Sequence, residues 1–325
     1  MSHISCKYRL HIAHGVSRWL LYPILYHVIR YRKKVVRENL QIAFPKKSAK
    51  ERLHIERAFY AAFADMIMEI IVGRRFSPEE MQELVLVHHK EEVITRCRQY
   101  GGGFLMLGHF LNWEWAANCA SQIAQYNIEC DCIYKQLSNK FFNKLMLNIR
   151  NQRGATLVEM DHLLRTLIGN RNSNHTVIYA MLADQRPRKQ SAKIPMVFMG
   201  QEVNMLLGTE QLATKFAYPV YYASMLSPAR GHYEVDFHLI YDPDTEPDLP
   251  KGEITKRFAE QLENNILQNP SRWLWSHRRF LHTKPHTTSS GEEKAPPTQG
   301  YNILSSERER QVLWALYDKT GKLRM

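Results

Sequence analysis

Acidic side chains are nearly missing from the first sixty positions, where Glu38, Glu51 and Glu56 face thirteen Lys and Arg. That segment carries +10 of the chain's net +12, leaving the remainder close to neutral. The positive field is therefore local, and a local field attracts phosphate, whether of nucleic acid or of an anionic membrane. Cysteine is scarce: Cys6, Cys97, Cys119, Cys130 and Cys132 form an odd set without paired spacing. This argues against a disulfide framework and for a reduced, cytoplasm-facing chain. Cys130 and Cys132 share one face of a strand, but no second ligand pair accompanies them, so no zinc or other metal site is expected. Apolar runs that could cross a bilayer are lacking as well. The run WLLYPILYHVI, residues 19–29, falls short of the roughly 20 apolar residues a spanning helix needs, and it contains Pro23 and His27. No small-residue cleavage site follows it, so no signal peptide is expected. There is no phosphate-binding loop, no Gly-x-Ser-x-Gly nucleophile, no His-Glu-x-x-His and no internal repeat.

What is present begins with that same run. Trp and Tyr beside Arg18 and the RYRKK cluster suit a segment lying in the headgroup layer of an anionic membrane. A buried helix followed by a solvated basic turn is the alternative. Nucleic acid is not expected as a partner, because neither interleaved base-stacking aromatics nor a helix-turn-helix pattern accompanies the charge.

Beyond residue 45 the pattern alternates. Ser48 with Glu51 three positions on is a capping box, opening a helix whose apolar positions run through Phe59, Phe63, Met66, Ile67, Ile70 and Ile71. That face is expected in the core, with an acyl-chain groove as the minority reading. QYGGG reads as a turn before the buried strand FLMLG, and Asn112 as the cap of a helix with Glu114 and Trp115 in its first turn. IECDCIY is strand-like, NKFFNKLMLNIRNQRG a helix ending at Gly154, and HTVIYAMLADQ a buried strand ending at Asp184. MVFMGQEVN contains a Gly-centred turn. A helix begins at Thr209, YPVYYASM is a strand, YEVDFHLIY alternates as an edge or half-buried strand, and residues 253–267 are an amphipathic helix. The class is α/β, a mixed central sheet covered by helices, preceded by an amphipathic membrane-surface helical segment. The expected divisions are a membrane-associating segment at 1–45, a catalytic domain at 46–283, and a polar linker with one short helix at 284–325. That last helix is capped by Ser306 with Glu309 and carries Val312, Leu313, Leu316 and Tyr317.

The stretch MLGHFLNWEWA carries the chemistry. Scanning all fifteen histidines for an acid five positions later gives one hit, His109 with Glu114. The spacing alone decides nothing, since one or two chance hits are expected. The context is more specific: His109 follows a strand and a glycine, at a carboxyl edge of the sheet where α/β proteins gather ligands. A carboxylate that accepts a hydrogen bond from the imidazole fixes its tautomer and leaves the other nitrogen free to take a hydroxyl proton. The start of the following helix offers N–H groups to an oxyanion.

LGHFLNWEWA resembles the first motif of the glycerolipid acyltransferase superfamily. RYRKKVVRENLQIAFPKKSAKER, IRNQRG, ADQRPRK and WLWSHRRF are similar to one branch of it, the late acyltransferases of lipid A biosynthesis, over roughly residues 15–283. The resemblance implies a glycerol-3-phosphate acyltransferase-like fold, with His109 as general base and Glu114 as its orienting acid. It also implies Arg150, Arg153, Asp184, Gln185 and Arg186 as polar residues around the substrate. His277–Arg279 is similarly placed in the family, while Trp273 and Trp275 read as core or interface. The implied reaction moves a fatty acyl chain from acyl carrier protein or coenzyme A to a glycolipid hydroxyl. No metal or cofactor is needed, because the thioester is already activated. The implied location is the cytoplasmic face of the bacterial inner membrane. A lysophospholipid acyltransferase, or a non-catalytic membrane-surface binding protein, are the rival expectations. The family usually begins with a longer apolar anchor, so the short, broken run here favours peripheral attachment.

Overall fold

The computed structural model describes residues 6–136, 147, 150 and 155–281, and the backbone of 284 and 285. The expected linker and last helix, most of the expected 139–154 helix and Arg153 lie outside the described residues. The chain to Lys284 is one compact unit.

It opens with α1 (Cys6–Val16), which runs on through two wide π-helical turns, Ser17–Leu21 and Ile24–Val28, on either side of Tyr22 and Pro23. Then come α2 (Lys33–Ala43), α3 (Ala49–Gly73) and α4 (Pro78–Leu84). The capping box expected at Ser48 and Glu51 is formed reciprocally at the start of α3, and Ser77 with Glu80 builds a second one on α4. Next are β1 (Val85–Val87), α5 (Lys90–Tyr100), β2 (Gly102–Leu107), the single turn α6 (Trp113–Ala116), α7 (Asn118–Ala124) and β3 (Glu129–Tyr134). They are followed by β4 (Thr156–Glu159), α8 (Leu163–Asn172), β5 (Val177–Leu182), β6 (Lys193–Phe198) and β7 (Gln201–Leu206). The last are α9 (Gly208–Phe216), β8 (Val220–Ala229), β9 (His232–Tyr241) and α10 (Glu253–Gln268).

Seven strands make a mixed sheet in the order β1-β9-β8-β2-β5-β3-β4. β8, β2, β5, β3 and β4 pair in parallel, while β9 runs antiparallel to β8 and parallel to β1. This is the α/β class expected, with one difference at the rim. β9 alternates as an edge strand would, yet the three-residue β1 covers its free side, a strand too short to leave a period-two pattern. β6 and β7 form a separate hairpin across Met199–Gly200, both at positive φ, as a two-residue hairpin turn requires.

The two glycines that open β2 are demanded by packing. A Cβ on Gly102 would meet the Tyr218 ring at 2.7 Å, and one on Gly103 would meet Cys97 Sγ at 2.4 Å. Bare backbone there lets α5 and the start of β8 close on the central strand. The apolar face of α3 divides. Phe59 joins the main core, Met66 and Ile70 form a small cluster with Trp113, and Ile71 is exposed.

Candidate active site

β2 and β5 lie side by side in parallel, Leu107 opposite Leu182, and the Ala183 N–H donates to the Leu107 carbonyl at 3.0 Å. His109 and Asp184 each stand two residues past their strands, so equal offsets from an equal register bring them together. His109 Nδ1 lies 2.6 Å from Asp184 Oδ1, and the His109 N–H donates to Oδ2 at 2.9 Å. Trp273 Nε1 donates to the same Oδ2 at 2.8 Å. Burial alone would push the Asp184 carboxyl up. The charge of His109 and these hydrogen bonds outweigh it and hold the group down at about 2. An ionised Asp184 only accepts, so the proton sits on Nδ1 and Nε2 keeps its lone pair. Gln185 Nε2 stands 3.1 Å from that lone pair, and the Trp113 ring meets the imidazole edge-on at 5.0 Å.

The expected pairing of Glu114 with His109 is therefore corrected: the partner of the imidazole is Asp184. Glu114 accepts from Arg150, Nε at 2.8 Å and Nη2 at 2.6 Å, and from Trp113 Nε1 at 3.1 Å. A guanidinium fork that takes both carboxylate oxygens is a stronger partner than a neutral imidazole N–H. Burial would lower the Arg150 pKa, but Glu114 raises it further, so the pair stays charged.

Asn112 caps α6 as expected, accepting from the Trp115 N–H at 3.2 Å, which removes that N–H from those offered to an oxyanion. The Asn112 amide in turn donates to Glu69 Oε2 at 2.9 Å. Glu69, 1% exposed near the C-terminal end of α3, also accepts from Tyr233 at 2.6 Å and meets His14 Nε2 at 2.8 Å. One buried carboxylate thus ties α1, α3, β9 and the His109 loop together. Within the helical pattern of α3 it looks like any polar position, so only its burial reveals it.

The segment around Trp273 belongs to the site as well as to the core. Phe110 bridges Trp273, Leu274 N–H donates to the His109 carbonyl at 3.0 Å, and Leu111 N–H donates to the Arg272 carbonyl at 2.8 Å. His277 Nε2 accepts from the Arg186 N–H at 3.1 Å, and burial pushes its imidazole down to about 4, so it serves as a neutral acceptor.

His109, Gln185 and the Glu114–Arg150 pair line a cavity of about 500 Å³. The rest of its wall is largely apolar, and part of it is small: Ala116, Ala117 and Ala120 from α6, α7 and their junction, Cys130 and Cys132 from β3, Ala180 from β5, Ala223 from β8. Short side chains on facing elements leave a channel where longer ones would close it, within the usual size of a small-molecule site.

The fold is a mixed α/β sheet whose carboxyl edge carries a carboxylate-held histidine beside a largely apolar cavity, the layout of an α/β protein with its candidate site at the strand ends. The chain belongs to the bacterial lipid A biosynthesis acyltransferase family, whose model matches residues 4–282. It is also 24% identical over 296 residues to the lipid A biosynthesis lauroyltransferase of Escherichia coli (strain K12), an alignment covering 84% of this chain and 91% of that relative.

Proposed function

We propose that this acyltransferase moves a fatty acyl chain from a thioester, carried by acyl carrier protein or coenzyme A, to a hydroxyl of a lipid A precursor. The observation carrying the reading is the Nδ1-fixed His109, whose Nε2 lone pair, met by the Gln185 amide, stands at a largely apolar channel. His109 Nε2 takes the hydroxyl proton, and the alkoxide oxygen attacks the thioester carbonyl carbon. The tetrahedral intermediate then collapses with cleavage of the carbon–sulfur bond, and the imidazolium returns its proton to the departing thiolate. Asp184 keeps the ring in its tautomer and stabilises the imidazolium while it exists. Gln185 yields its place at Nε2 to the acceptor hydroxyl. Arg150, held by Glu114, supplies fixed charge at the channel wall. The family resemblance implies Arg153 and Arg186 as further polar residues around the substrate.

The work is assigned to the cytoplasmic surface of an inner membrane, with residues 46–283 as the catalytic part of a glycerol-3-phosphate acyltransferase-like fold and residues 1–45 as the attachment. No helix among the described residues is long and apolar enough to cross a membrane. Support for surface attachment comes from Trp19, Leu20, Val28 and Ile29, all more than half exposed beside Arg18 and Arg30.

His109→Ala tests the chemistry. Loss of the base should lower acyl transfer by about 10²–10⁴-fold with the melting curve intact. Near-wild-type transfer by the folded variant excludes this mechanism.

A further inference from the structure

The loop that follows Asp184 reads QRPRKQSAK and holds no acid. It bounds a second cavity of about 440 Å³, lined by Arg186, Arg188, Lys189, Lys193 and Arg279, with Glu202 as its one acid among the described residues. Arg186 and Arg188 also line the catalytic channel, so the two cavities adjoin. Four of the five cations are exposed, which alone would be an ordinary basic loop. Arg279 is not ordinary. It is 1% exposed, and among the described residues no carboxylate pairs with it. Its Nη2 donates to the Asn204 carbonyl at 3.1 Å and also reaches Met205 Sδ, and its guanidinium lies 5.6 Å from the Phe198 ring centre. Its buried Nε has no hydrogen-bond partner. Burial pulls its pKa down to about 10; the charge of Asp184 opposes this only in part, and the neighbouring Arg186 charge adds to it. A desolvated guanidinium with no carboxylate in direct contact among the described residues, only the more distant charge of Asp184, is an unfavourable arrangement in a folded protein, and four more cations beside it deepen the deficit. The missing partner is a compact, multiply charged oxyanion, and the forks of three arginines match phosphate oxygens.

We propose that this cavity is a phosphate-monoester site, holding a phosphate group of a substrate whose reacting end lies in the adjoining channel. The proposal rests on the acyltransferase reading for the identity of that substrate, but the phosphate preference can be measured without turnover. The probes are dodecyl phosphate and dodecanol, below micellar concentration, with binding followed by tryptophan fluorescence. Wild type should bind the phosphate at least about tenfold more tightly, the order expected of one charge-assisted contact. Arg188→Gln/Lys193→Gln, both exposed and away from the core, should abolish the preference, and Arg279→Lys should weaken it. The charge-matched Lys215→Gln/Lys251→Gln should keep it. Equal binding of the two probes by wild type, or equal loss in both double variants, overturns the site.

Acyl-transfer assays then name the source. A KM raised by Arg188→Gln/Lys193→Gln for a phosphorylated glycolipid acceptor, but not for its dephosphorylated form, assigns the phosphate to the acceptor. A KM raised for acyl-coenzyme A, whose ribose carries a phosphate monoester, but not for a phosphate-free acyl-pantetheine, assigns it to the donor. A shift in neither arm of a turning-over enzyme overturns the proposal. Failure of the acyltransferase reading has a separate signature: no turnover in any arm, with the dodecyl phosphate preference intact.

Discussion

At the scale of single residues, the two carboxylates near His109 have separable tasks. Asp184→Asn replaces an acceptor with a group that can donate to Nδ1, which favours the tautomer with its proton on Nε2, where the lone pair is needed. Turnover should fall by about 10²-fold or more, with substrate affinity little changed. Glu114→Gln leaves Arg150 without its counter-charge at the channel wall, so its effect should fall mainly on apparent affinity. Steady-state kinetics of the two variants checks this; a turnover defect confined to Glu114→Gln would return the orienting role to that residue. The Asp184 carboxyl also bears on acid stability. Its folded pKa near 2 lies below its unfolded value, so its contribution is present above roughly pH 4 and lost as the pH falls towards 2. His109 was legible in the sequence because a strand, a glycine and a capped helix frame it locally. Asp184 was legible as a site residue but not as the imidazole's partner. Seventy-five positions separate the two, and only the parallel register of β2 and β5 joins them.

At the scale of elements, the sequence foretold β2, β3, β5, β8 and β9 and the helices α3, α6, α9 and α10, because their periods and caps are local signals. It did not mark α2, α4, α5, α8 or β4, and it missed what depends on neighbours: the short cover strand β1 and the channel itself. An alanine in a helix reads as a good helix former. That Ala116, Ala117 and Ala120 face β3 and β5 across an open space emerges only when the helices are docked. Ala120 is 1% exposed and lines the channel, so Ala120→Leu should fill part of it and shift the preference towards shorter acyl donors. Competition between acyl chains differing by two carbons measures the shift; each methylene left outside forfeits about 0.8 kcal/mol, close to fourfold. An unchanged chain-length profile would place the acyl group elsewhere. β3 carries a second test. Burial first, and then the charge of Glu129, push the Asp131 carboxyl up to about 7. Its folded pKa is raised, so the folded state holds a proton that the unfolded chain has released, and stability declines as the pH rises from about 4 to 7. Asp131→Asn should raise the melting temperature at pH 8 by a few degrees, for a gain of about 1 kcal/mol, and change little at pH 4. Scanning calorimetry at the two pH values decides it.

At the scale of the whole molecule, the basic N-terminal segment is not uniformly available to a membrane. Lys33 lies 3.5 Å from the centre of the Tyr26 ring and 3.9 Å from Glu56, and Arg37 Nε donates to the same buried Glu56 at 2.9 Å. Arg32 donates to the Ser276 carbonyl at 3.0 Å, and Asn39 holds the Trp275 and His277 carbonyls at 2.8 and 2.6 Å. These side chains fasten α2 to α3 and to the segment beside the site, so neutralising Lys33 or Arg37 would disturb the fold as well as any surface attraction. Arg18, Arg30 and Lys34 are exposed cations that, among the described residues, make no such tie to α3 or to the segment beside the site, and they flank the exposed Trp19, Leu20, Val28 and Ile29. Each basic side chain near an anionic surface contributes about 1 kcal/mol, screened within roughly one Debye length. Arg18→Gln/Arg30→Gln/Lys34→Gln should therefore weaken sedimentation with anionic vesicles by about two orders of magnitude and leave neutral vesicles little changed. High salt should release a substantial fraction of the wild type, with Trp19 and its neighbours retaining the rest. Complete retention through high salt and alkaline carbonate, with release only by detergent, would show an integral anchor and overturn surface attachment.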